Sequence, residues 1–227
     1  MAEDTRMMEL AGASDLFRLA GALFRYPTPD FVNALADGAL LADCQQGANA
    51  MGLPPSSLGV LEGAIPPFQG ALDAAEGLRQ LRREHTRLFG VPGREVLYLL
   101  ESRYMQDEDG SADSYLMFVN PCSLDVEKMM KAAGFVAARN GEEPLDHIST
   151  EMEFVGLLYG KAAAAVAVGD EAEEAHRLQQ AVEFRSQHLD RWAVRFCADV
   201  QKETENPTYR AFARFATEVL RHPVAAR

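Results

Sequence analysis

Cysteine is scarce in this chain: Cys44, Cys122 and Cys197 stand apart, with no CxxC pair and no histidine nearby in zinc-ligand spacing. That argues against a disulfide framework and against a structural zinc site of the kind that sequence spacing announces, so three reduced thiols and no metal are expected. Long hydrophobic runs are also missing. No stretch of eighteen apolar residues occurs, and the opening MAEDTRMMEL has no basic segment leading into an apolar one. Neither stable membrane insertion nor export is expected, and the expected location is cytoplasmic. Positive charge is in deficit, since 22 Lys and Arg against 34 Asp and Glu leave a formal net charge of −12. Such a surface disfavours nucleic acid and anionic lipid and favours a basic partner. Finally, the chain has no GxSxG, no HExxH and no phosphate-cradling GxxxxGK[ST], which removes the usual starting points for catalysis on a small substrate.

What remains is ordinary globular material: 227 residues, 48% hydrophobic and 25% charged. This is enough to bury a core, and one domain over residues 1–227, with its core at about 14–220, is expected. Apolar residues recur at helical spacing nearly throughout. Leu16, Leu19, Leu23 and Phe24 follow a Ser14 or Asp15 that can cap a helix, and Pro27 and Pro29 end it. A short helix follows from Asp30 to about Asp43, then a loop from Gly47 to Ser57. Leu78, Leu81, His85 and Leu88 share one stripe in a helix from about Gln69 to Phe89, with His85 expected to be a hydrogen-bonded core residue. Gly90 to Asp113 shows no dominant period. Ser123 caps a helix carrying Val126, Met129, Met130 and Ala133, which Gly134 ends. The clearest pattern is Ile148, Met152, Val155, Tyr159, Ala162 and Val166, ending at Gly169. One further segment uses Leu178, Val182, Leu189, Trp192, Phe196 and Val200, and Tyr209 to Val219 form the last helix after Asn206-Pro207. Strand alternation and fixed-period repeats are absent, so the fold class is all-α, a compact helical bundle.

The densest cluster of special residues, Glu143-Pro144-Leu145-Asp146-His147-Ile148-Ser149-Thr150-Glu151, lies just before the strongest helix. Capping explains much of it: Asp146 or Thr150 can close the first turn, and Thr150 with Glu153 fits a capping box. The rival reading is that Asp146 and His147 engage a cationic or polar segment of a partner. Capping does not call for His147. The Arg82-Arg83 pair sits inside a helical stripe and reads as a solvated face.

Several separated segments carry a resemblance. Leu81 to Gly93 with Glu101-Ser102-Arg103-Tyr104, then Ala133-Gly134-Phe135, then Glu143 to Ile148 with Glu151 to Phe154, and finally Phe184 through His188-Leu189, Trp192 and Phe196 resemble, in order, the TorD/DmsD/NarJ family of redox-enzyme maturation chaperones. The likeness covers about residues 14–220 and is strongest to the TorD/DmsD branch. It implies an all-helical chaperone without catalysis or a cofactor of its own. Its partner would be the twin-arginine leader, and the mature part, of a molybdenum- or tungsten-containing oxidoreductase subunit of anaerobic respiration. The resemblance places leader binding at Pro144, Asp146 and His147 with Glu143, and at a second stretch including Leu100, Glu101 and Tyr104. His85 stands where the family commonly has an aromatic residue, and Leu100 where tryptophan is often found before the Glu101 position. Both departures bear on the groove and its client. A leader offers two guanidinium groups followed by an apolar segment, so its receptor needs carboxylates beside an apolar groove. Asp146, Glu143 and Glu101 are candidates for the first, and residues near Tyr104, Tyr115 and Met117 for the second. The alternatives are a NarJ-like assembly factor for a nitrate-reductase-type subunit and, from another class, a nucleotide-hydrolysing enzyme. A monomer is expected, with a domain-swapped dimer through exchange of terminal helices as the alternative.

Overall fold

The stripes of apolar residues become the inner faces of helices packed on one another in a computed structural model, which describes residues 2–62, 71–90, 96–109, 121–136 and 144–224. In chain order these are α1 (Ala2–Ala22), α2 (Pro29–Ala36), α3 (Ala39–Met51), α4 (Pro55–Glu62), α5 (Ala71–Phe89), α6 (Glu101–Asp109), α7 (Pro121–Ala132), α8 (Ile148–Ala167), α9 (Glu171–Phe184), a π-helical turn (Arg185–Leu189), α10 (Asp190–Glu203) and α11 (Pro207–Arg221). Among the described residues there is no strand, and one isolated antiparallel bridge joins Leu100 to His147. The fold is all-α.

At the centre α8 is wrapped by its neighbours, with Ile148, Met152, Val155, Leu158 and Ala162 all fully buried. Its largest contact is with α1, which runs antiparallel to it. The two backbones approach closely because small residues line the seam. A Cβ added at Gly156 would lie 2.7 Å from Cγ of Arg18 and 2.8 Å from the Ser14 carbonyl oxygen. On the other flank, α9, the π-helical turn and α10 bring Phe184, Leu189, Trp192 and Phe196 into the core, and α11 adds Tyr209, Phe212 and Phe215.

Several helix limits differ from those expected. The first helix begins at Ala2, not at Ser14, and Ser14 lies buried against α8. The expected helix over 30–43 is broken at Asp37-Gly38 into α2 and α3, and most of the expected loop over 47–57 is helical. Pro29 starts α2, behind Thr28 as cap, rather than ending α1. Part of the irregular stretch, from Glu101, is the helix α6. The ends at Gly134 and Gly169 stand where expected, at φ values of 81° and 72° that favour glycine. Asn206 caps α11 through its side-chain oxygen, with Pro207 in the first turn. Val182 is 51% exposed, because the π-helical turn between α9 and α10 shifts the stripe onto Ala181 and Phe184.

Candidate partner-binding site

The two stretches that the resemblance singles out lie side by side. Ile148 N–H donates to the Leu99 carbonyl at 2.9 Å and Glu101 N–H to the Asp146 carbonyl at 2.9 Å, so residues 99–101 and 146–148 form a short two-stranded clasp. The side chains then divide the helix caps between them. The Asp146 carboxylate is only 1% exposed and accepts from Ser102 N–H at 3.2 Å, which satisfies an orphan donor in the first turn of α6. His147 closes α8: its Nδ1 accepts from Ser149 N–H at 3.1 Å, and its carbonyl accepts from Thr150 and Glu151. Capping therefore falls to His147 and not to Thr150 with Glu153, and Asp146 caps a different helix from the one expected. Burial, reinforced by the charges of Arg25 and His85, pushes the His147 imidazole down to about 4. A neutral ring is what an accepting Nδ1 requires.

The other expected positions distribute as follows. Pro144 is exposed, and Leu100 and Leu145 are half-buried. Tyr104 is buried, donating to Asp199 at 3.3 Å, with the Arg195 guanidinium 5.1 Å from its ring centroid. Glu101 is 1% exposed and faces inward. Glu143, Tyr115 and Met117 lie outside the described residues. Elsewhere, His85 is buried with Nε2 3.3 Å from the Phe24 carbonyl, as expected of a core histidine. Of the Arg82-Arg83 pair, Arg83 is exposed as expected, whereas Arg82 is half-buried, donating to the Pro27 carbonyl and lying over the Tyr26 ring.

Beneath the clasp is a polar cluster that pattern reading did not assemble. Glu101 Oε2 accepts from the Cys122 thiol at 2.9 Å and lies 2.8 Å from His188 Nδ1. Glu151, fully buried on α8, accepts from Trp192 Nε1 at 3.0 Å. Burial and then the Glu101 charge raise the Glu151 carboxyl well above the carboxylate range. Outside the cluster opens a cavity of about 700 Å³, lined by Glu101, Cys122, Asp125, Gln187, His188 and Arg191, among others. His188 belongs to the π-helical turn, whose Arg185 is anchored by hydrogen bonds to the Leu220 carbonyl and Asp190. No local sequence signal announces this turn. The cluster joins residues 21 and 87 positions apart.

A family model described as the nitrate reductase delta subunit matches residues 59–198. The chain belongs to that family. No curated protein matches the chain. The delta-subunit family is one of redox-enzyme maturation chaperones and not of catalysts, so the carboxylates beneath the clasp are read as groups that shape and bind rather than react. The matched range takes in the clasp, α7, α8, the π-helical turn and the first nine residues of α10. Helices α1 and α11 lie outside it. No helix among the described residues is long and apolar enough to cross a membrane.

Proposed function

We propose that this delta-subunit family member is a cytoplasmic chaperone of the TorD/DmsD branch. It binds the twin-arginine leader of a molybdenum- or tungsten-containing oxidoreductase subunit while that subunit folds and takes up its cofactor before export. The observation that carries the reading is the clasp and what adjoins it: Pro144 is exposed, Leu100 and Leu145 are half-buried, and Glu101, the residue after Leu100, lines a cavity together with Asp125. A leader presents guanidinium groups followed by an apolar stretch, and this junction offers the matching pair of environments. A net charge of −12 adds long-range attraction for a basic segment.

Within this proposal Pro144 and Leu100 touch the leader and Glu143 supplies a further carboxylate. Asp146, His147, Glu101 and Tyr104 hold the edge in shape from below. Calorimetric titration with the leader encoded beside this gene tests it. Binding is expected to be lost when the leader's two arginines become alanine, and to weaken for Pro144→Ala and Asp146→Ala. A leader that binds equally well with alanines in place of its arginines refutes the proposal.

The description of the matching family model favours a second reading, a NarJ-like factor that assembles a nitrate-reductase-type subunit retained in the cytoplasm. It takes precedence if the mature catalytic subunit binds and leader peptides do not.

A further inference from the structure

We propose that Glu101, Cys122 and His188 together bind one divalent cation of the zinc class. One ligand atom from each of the three lies within 4.8 Å of the others, and each comes from a different element: the start of α6, the first turn of α7 and the π-helical turn. Carboxylate, thiolate and imidazole form a donor set that suits zinc and its softer neighbours and is poorly suited to magnesium or calcium.

The hydrogen bonds already present are those a metal would replace. Glu101 Oε2 is the common acceptor, at 2.9 Å from Cys122 Sγ and 2.8 Å from His188 Nδ1. A cation entering there exchanges two weakly shared protons for three bonds. The thiol proton leaves to solvent, and the imidazole proton passes from Nδ1 to Nε2, so that Cys122 binds as thiolate and His188 as a neutral ligand.

A second, independent feature points the same way. His188 is 4% exposed in its side chain, lines the cavity, and its Nε2 has no hydrogen-bond partner; Oδ2 of Asp125 lies 3.5 Å from it. Its two nitrogens face two carboxylates, Glu101 on the Nδ1 side and Asp125 on the Nε2 side. With metal on Nδ1, Nε2–H points at Asp125, the carboxylate–histidine–metal relay that orients ligands in many sites. Arg191 approaches the far oxygen of Glu101, Oε1, at 4.0 Å and leaves Oε2 to the cation. The cavity of about 700 Å³ supplies entry and room for a fourth ligand, water or a partner group.

The test uses the full-length, metal-free chain titrated with Co²⁺ as a spectroscopic probe, followed by Zn²⁺ in competition. One ion per chain is expected, with a thiolate-to-cobalt absorption band in the near ultraviolet that Zn²⁺ abolishes. Cys122→Ser should remove the band, Glu101→Gln should weaken Zn²⁺ by at least about tenfold, and Cys44→Ala should keep both. Because substitutions in a buried cluster can disturb folding, the unmodified protein gives the parallel reading: Zn²⁺ should protect Cys122 from iodoacetamide, measured by mass spectrometry. A band that survives Cys122→Ser, absence of any band, or alkylation of Cys122 unaffected by Zn²⁺ overturns the site and leaves His188 as a hydrogen-bonding group between two carboxylates. The outcome does not depend on leader binding, which is measured separately on the metal-free chain.

Discussion

The imidazole of His147 closes the first turn of α8 with an unprotonated nitrogen, and that cap exists only while burial keeps the ring neutral. In the unfolded chain the ring takes up a proton near its ordinary value of 6.5, whereas in the folded chain it does so only at about 4. The unfolded state therefore binds the proton first. Stability from this group is complete above 6.5 and is lost as pH falls from there towards 4, by up to about 3 kcal/mol. Urea unfolding between pH 7.5 and 4.5 measures it, and His147→Asn, which keeps a capping oxygen, is expected to flatten the slope. Glu84 behaves in the corresponding way at lower pH. Its carboxylate accepts from Arg87, from the Thr204 hydroxyl at 2.6 Å and from Glu205 N–H, and the bonds to Arg87 lead in holding it at about 2. Its contribution is present above the ordinary value of 4.5 and disappears as pH falls towards 2. Glu84→Ala is expected to cost about 1–2 kcal/mol at neutral pH, because Arg87, Glu205 N–H and the buried Thr204 hydroxyl lose their shared acceptor, leaving Thr204 only the long bond to the Asn206 carbonyl at 3.4 Å.

At the level of helices, the seam between α1 and α8 is set by small residues, and there is no slack in it. Gly156→Ala places a methyl group against the Ser14 carbonyl and Arg18, and an overpacking penalty of about 1–3 kcal/mol is expected. In a chain of this size that lowers the thermal midpoint by roughly 2–4 °C per kcal/mol, readable by calorimetry. The same level shows what was legible in the sequence. The stripe from Ile148 to Ala162 is buried as its spacing demands, and so is the one from Tyr209 to Val219, because a long amphipathic helix repeats its signal many times. The N-terminal half of α1 was missed because capping-competent Ser14 imitates a helix start, although its actual role is to sit beneath Gly156 and Gly160. The π-helical turn was missed because one extra residue per turn leaves hardly any trace in composition, and Val182 was placed in the core for that reason. The EPLDH segment was legible as a helix start, but which residue caps which helix depends on the neighbouring segment at Leu99–Glu101, a contact between residues far apart in sequence. The Glu101, Cys122 and His188 cluster was illegible for the same reason. Ligand spacing along the chain says nothing about ligands brought together by three elements.

For the molecule as a whole, one buried cluster runs from Leu10 to Leu220, taking in α1 and α11, which lie beyond the family-matched range. We propose on this ground that the chain unfolds as one unit. Trp192, fully buried and the one tryptophan present, reports on the α8–α10 core, while far-ultraviolet circular dichroism reports on all helices. The two denaturation curves are expected to coincide, and separated midpoints would show that the terminal helices melt independently. Binding is also a property of the whole surface. Under the proposed function, a charge of −12 attracts a basic leader and the clasp between residues 99–101 and 146–148 is where it docks. Leader affinity should therefore fall as salt screens the attraction, while the preference for an intact arginine pair persists. The measurement that bears most directly on this is calorimetric titration of the full chain with the twin-arginine leader encoded beside it, in parallel with the same peptide carrying two alanines. The account predicts saturable binding of the first, its loss in the second, and weakening for Pro144→Ala. Equal affinity for both peptides, or binding that ignores Pro144→Ala, would contradict it.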